Sequence, residues 1–134
     1  MAPCPMWGDR GFCRSRRLPK EALTLERLAA FIDGAGPFRP RTVTLSGGEP
    51  LLSPLCMPLA GRLAAKGLRV MLTTNATLLR ELAPDDLAAF DQVNVSLDGP
   101  PLVLEKIGRG GEETFSRAVE GIHRVLAARR AGRA

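Results

Sequence analysis

Three polar residues recur at near-equal spacing in this chain of 134 residues: Glu49, Asn75 and Asp98, 26 and 23 positions apart. Each follows a short run rich in Val, Leu and Thr. Each also has small or hydroxylated neighbours: Ser46, Gly47 and Gly48 before the first, Thr73 and Thr74 before the second, Ser96 before the third. Carboxylates and exposed backbone carbonyls accept hydrogen bonds from an ammonium or hydroxyl, and glycine lets a ligand approach the backbone closely. The set therefore suits a polar ligand carrying amine and hydroxyl groups. Taken singly, Gly-Gly and Asp-Gly also make tight turns, and Asn and Asp also cap helices. Three such stretches on one edge of a fold favour a binding site.

A second group lies in CPMWGDRGFCRSRR at the start of the chain. Cys4 and Cys13 have eight residues between them, and Arg14, Arg16 and Arg17 follow. Nearby arginines lower a thiol pKa, which aids metal binding or oxidation. The third cysteine, Cys56, sits beside an apolar helical stripe and reads as a small buried apolar residue. His123 is the only histidine, and it flanks the apolar face of the last helix. No Ser-His-Asp or Cys-His arrangement is built around it.

The elements that must carry these residues alternate. RTVTLSGG, LRVMLTTN and DQVNVSLDG are short β-branched and Leu-rich runs ending in turn residues, so strands are expected at about 41–47, 68–74 and 91–97. Helices are expected at about 20–33, 54–66, 84–90 and 112–130. Ser53 and Pro54 are start signals for the second helix, with Pro58 making its start late or irregular. The last helix has Phe115, Val119, Ile122 and Leu126 at helical spacing, acids first and arginines last, in keeping with its dipole. Strands alternating with helices predict a parallel α/β sheet, in which all strand C-terminal ends share one edge. Glu49, Asn75 and Asp98 then meet on that edge.

Bulk properties bound the function. Apolar residues make up 45% of the chain, enough for a single packed domain. No apolar run reaches the roughly 18 residues of a membrane helix, and no secretory h-region opens the chain. A cytoplasmic protein with reduced or metal-bound cysteines is expected, with no membrane partner. The net charge of +5 comes almost wholly from arginine, which clusters at Arg10–Arg17 and Arg124–Arg133 within a chain rich in Ala, Arg, Leu, Gly and Pro throughout. With few aromatics to stack on bases, no nucleic-acid partner is expected.

The stretch TLSGGEPLLSP resembles the glycine-rich motif of the radical S-adenosylmethionine (SAM) enzymes. VMLTTNATLL and FDQVNVSLDGPP resemble the next two strand-end motifs in order. LEKIGRGGEETFSRAVEGIHRVL resembles the segment that follows in the SPASM-type branch, which includes sulfatase-maturating and peptide-modifying enzymes. The resemblance implies a partial (β/α) barrel, a [4Fe–4S] cluster and SAM as cofactors, and reductive cleavage of SAM to a 5′-deoxyadenosyl radical. It implies a peptide or protein as one class of substrate. Mapped onto this chain, Gly47, Gly48 and Glu49 would receive the SAM amino group. Asn75 and Ser96 would lie near the methionyl carboxylate and ribose, and Asp98 on the same rim. Cys4 and Cys13 would be the metal ligands.

The chain also departs from that pattern. Only three residues precede Cys4, where the family has a first strand, and the last two barrel strands have no counterpart. Arg16 stands where the C-x₃-C-x₂-C loop would place its last cysteine. The expected organisation is one partial radical SAM domain over 1–134, with an irregular segment at 1–19 and an α/β half barrel at 20–134. Cys4 and Cys13 admit two readings: remnant or two-thiolate ligands of a cluster, or thiols of a basic N-terminal segment. The whole chain likewise admits an alternative to catalysis: a SAM- or nucleoside-binding half-domain, or an inactive truncated fragment, that associates with another chain through its open sheet edges.

Overall fold

The computed structural model describes residues 24–38 and 40–132. The irregular segment expected at 1–19, the first residues of the expected leading helix, and Cys4 and Cys13 lie outside these residues. Three strands, β1 (Thr42–Leu45), β2 (Arg69–Thr74) and β3 (Gln92–Val95), form one parallel sheet in the order β1-β2-β3. The helices are α1 (Leu25–Gly34), α2 (Cys56–Ala65), α3 (Pro84–Leu87), α4 (Pro101–Lys106) and α5 (Glu112–Arg130). This is the expected partial β/α architecture. Several boundaries differ.

The first helix begins at Leu25 rather than near residue 20. Thr24 is extended, and its hydroxyl accepts from Arg27 N at 3.2 Å, an N-cap that fixes the start. The second begins at Cys56, after a 3₁₀ turn at Pro50–Leu52. Pro58 then falls in the first turn, where its missing N–H costs no helical bond. Ser53 Oγ instead accepts from Leu55 N at 3.3 Å, in the turn that leads into this helix. The third helix stops at Leu87 and continues as a turn. Helix α4 has no counterpart in the expected elements, because Pro100-Pro101 reads as a break although proline suits a first helical turn.

The strands are half-buried rather than buried on both faces. Register pairs Leu45 with Leu72 and Leu72 with Val93, so these side chains share one face. Val70, Leu72 and Thr74 on that face are buried, and Val70 and Leu72 belong to a core with Leu63 of α2, Leu87 of α3, Leu79 and Phe90. The opposite face carries Thr42, Thr44, Met71, Thr73, Gln92 and Asn94, all exposed or half-exposed. Among the described residues helices cover one face only, and the alternation in each strand records it.

Helix α5 also turns a different face inward. Its buried residues are Ala118, Gly121, Val125 and Ala128, while Leu126 is 46% exposed. The buried stripe is rotated by about 100°, one residue, from the expected Phe115-Val119-Ile122-Leu126 stripe. The cause is close approach. A methyl at Gly121 would lie 2.3 Å from the backbone oxygen of Ala76 and 2.9 Å from Leu79 Cβ. Only small residues let α5 lie against the turn at Leu79–Glu81. Arginines then secure it: Arg124 Nε donates to Leu82 O at 2.7 Å and Arg129 Nη2 to Asp91 O at 2.9 Å.

Candidate functional site

The C-terminal ends of the three strands converge on a cavity of about 410 Å³. All six expected binding residues line it: Gly47, Gly48 and Glu49 after β1, Asn75 after β2, and Ser96 and Asp98 after β3. Its size falls in the range of small-molecule sites, about 300–1,000 Å³. Leu97, Leu104 and Ala118 give it an apolar floor.

Each polar group is held by its neighbours. Gly47 has φ +127°, a conformation that side chains disfavour, and it turns the chain sharply out of β1. Glu49 then reaches back across the loop. Its Oε1 accepts from Thr74 Oγ1 at 2.7 Å and from Leu51 N at 3.2 Å, and its Oε2 accepts from Asn75 N at 2.8 Å. One carboxylate thus caps the turn at Pro50–Leu52 and ties the β1 loop to the end of β2. A carboxylate offers about four acceptor positions, so three donors leave one at Oε2 for a ligand cation.

Beyond β2 the backbone folds tightly. Thr74 Oγ1 accepts from Ala76 N at 3.1 Å, and Ala76 takes φ +67° while fully buried. Asn75 Oδ1 accepts from Thr77 N at 3.0 Å and from Thr77 Oγ1 at 2.7 Å. Ser96 is fixed beside β2 by its own N–H, which donates to Thr74 O at 2.8 Å.

Asp98 is not a free carboxylate. It pairs with Arg109 Nη1, so it sets the position of a cation on the rim. Arg109 lines this cavity and a smaller adjoining one of about 380 Å³, with Asn75, Thr77, Thr114 and Arg117. Sequence reasoning missed Arg109, because GRGGEE reads as a chain break. It also missed Thr77, although Asn-x-Thr just past a strand is an Asx-turn pattern.

Cys56 lies elsewhere. It is buried in the core cluster and borders a separate groove with Leu28, Leu45, Leu55 and Leu59. Burial, and then the negative charge of Glu49, push its thiol pKa up. It is a packed apolar residue, as its stripe implied. His123 is exposed on α5. Among the described residues no group of three or more His, Cys, Asp or Glu could hold a metal ion. No helix among them is long and apolar enough to cross a membrane.

A parallel β/α sheet with a cavity at the strand ends defines the class: an α/β protein of the kind whose ligand sites lie on that edge. Residues 4–131 match the Radical SAM superfamily, and the chain belongs to it. It is 35% identical over 107 residues to an AdoMet-dependent heme synthase of Methanosarcina barkeri, covering 78% of this chain and 31% of that protein. It is 40% identical over 93 residues to a GTP 3′,8-cyclase of Picosynechococcus, covering 63% and 28%. It is 38% identical over 112 residues to molybdenum cofactor biosynthesis protein 1 of Mus musculus, covering 80% and 16%. The chain thus spans about a third or less of the length of these curated relatives. No solved structure matches it.

Proposed function

We propose that this chain forms the SAM-binding part of a radical SAM catalyst. The carrying observation is the convergence of Gly47, Gly48, Glu49, Asn75, Ser96 and Asp98 on one cavity from three strand ends. Its chemistry fits SAM. The free position on Glu49 Oε2 and the Gly47–Gly48 backbone suit the ammonium, and the Asn75 amide suits the carboxylate. Ser96 suits the ribose hydroxyls, and the apolar floor suits the adenine ring.

In this family a [4Fe–4S] cluster supplies the electron that cleaves SAM to a 5′-deoxyadenosyl radical. The resemblance assigns its thiolates to Cys4 and Cys13, which lie outside the described residues. What the cavity residues contribute is orientation. Glu49 holds the β1 loop against β2, Asn75 faces the ligand with a defined amide, and Asp98 positions Arg109. The names of the relatives span heme and GTP chemistry, so the proposal rests on the family and commits to no substrate.

A second reading is favoured by the β3 edge, where Val95 is 36% exposed beside the exposed Leu126. There the chain binds SAM as one part of a larger assembly and does not cleave it alone. Anaerobic reconstitution with iron and sulfide, followed by SAM and a reductant, separates the two. Formation of 5′-deoxyadenosine supports catalysis. SAM binding without it supports the second reading, and loss of both removes the proposal.

A further inference from the structure

Asn75 is the one amide among the expected ligand contacts, and an amide can present either its oxygen or its nitrogen to a ligand. The choice is settled locally. A backbone N–H only donates, so the Asn75 atom that meets Thr77 N at 3.0 Å is the oxygen. Thr77 Oγ1 donates to the same oxygen at 2.7 Å. Both lone-pair positions of Oδ1 are therefore used within the chain. No acceptor within the described protein meets Nδ2, and it is not a buried orphan. Its two hydrogens are left for whatever occupies the cavity.

Thr77 borders the smaller adjoining cavity and not the main one. We propose that Thr77 is a positioning residue: its backbone N–H sets the polarity of the Asn75 amide and its hydroxyl holds that amide in one rotamer, so that this end of the cavity presents a donor and selects a ligand carboxylate. This rests on the reading that the cavity binds SAM, whose methionyl group carries both an ammonium and a carboxylate. The two ends of that group then meet opposite polarities, the Glu49 carboxylate on one side and the Asn75 NH₂ on the other. A site of this kind discriminates against a ligand lacking the carboxylate, because the donor is left unpaired.

The test uses the full chain, with Thr77→Val, which keeps volume and the backbone N–H but loses the hydroxyl, and Thr77→Ser, which restores it. SAM and decarboxylated SAM are titrated into each. Thr77→Val is expected to weaken SAM binding about 3- to 10-fold and to leave binding of decarboxylated SAM unchanged. Thr77→Ser is expected to recover most of the loss. Equal weakening of both ligands, or of neither, overturns the assignment. A ligand-independent readout keeps it decidable: the Asn75 side-chain NH₂ resonances, assigned through Asn75→Asp. They are expected to report one ordered rotamer in the wild type and Thr77→Ser, and an averaged one in Thr77→Val. An equally ordered amide in Thr77→Val overturns the proposal. If the wild type binds neither nucleoside, the SAM reading fails while the resonances still decide the role of Thr77.

Discussion

Glu49 does more than face a ligand. Two obligatory backbone donors, Leu51 N and Asn75 N, meet its two different oxygens. A glutamine can accept on only one arm, and its NH₂ would confront an N–H on the other. An unpaired donor of this kind costs about 1–3 kcal/mol, toward the low end for a half-buried group. Glu49→Gln is therefore expected to lower Tm of the ligand-free chain by scanning calorimetry, as well as SAM affinity. An unchanged Tm would show that the carboxylate serves the ligand alone. Cys56 carries a pH signature. Its raised pKa means that the folded state keeps a proton that the unfolded chain loses above about pH 8.5. Its contribution to stability is full below that pH and is lost as pH rises toward the folded value. The Tm of the wild type relative to Cys56→Ala is expected to shrink over the same range. A gap independent of pH would contradict the burial of a neutral thiol there. The positions of Gly47, Glu49, Asn75 and Ser96 were legible, because residues just past parallel strands must share an edge. Their hydrogen bonds were not, since Glu49 and Thr74 are 25 positions apart and only the register joins them.

At the scale of elements, α5 is the clearest departure. Its largest side chains suggest one stripe, yet the helix packs through Ala118, Gly121, Val125 and Ala128. The distance to the Ala76–Leu79 backbone decides the face, and hydropathy does not record that distance. Gly121→Ala tests it. Alanine gains about 1 kcal/mol of helix propensity over glycine. Its methyl would sit 2.3 Å from Ala76 O, and such overpacking costs typically about 1–3 kcal/mol. A backbone oxygen yields less readily than the end of a side chain, so the clash is expected to win. Thermal denaturation is expected to show a lower Tm, and SAM affinity is expected to fall because Ala76 adjoins Asn75. A variant more stable than the wild type would mean that α5 lies farther from the sheet. The strands and four of the five helices followed from periodicity and turn residues. Helix α4 did not, because its prolines signal a break and a first helical turn equally well.

At the scale of the molecule, one covered sheet face, one polar face and one cavity at the strand ends make a partial β/α fold. Among the described residues no helix covers the face of Thr44, Met71, Thr73, Gln92 and Asn94, and Val95 and Leu126 lie together at the β3 edge of the helix-covered face. The sequence spacing of Glu49, Asn75 and Asp98 is the imprint of one β/α unit between each pair, and this made the site readable before any contact was known. The central claim is that this edge binds SAM in a fixed orientation. Isothermal titration of SAM into the wild type and Asn75→Asp addresses it most directly. Aspartate keeps an oxygen for Thr77 but replaces the NH₂ with a second acceptor facing the carboxylate. The expected result is one saturable site in the wild type and affinity lower by about tenfold or more in Asn75→Asp. No saturable binding by the wild type, or equal affinity in the two proteins, would contradict the claim.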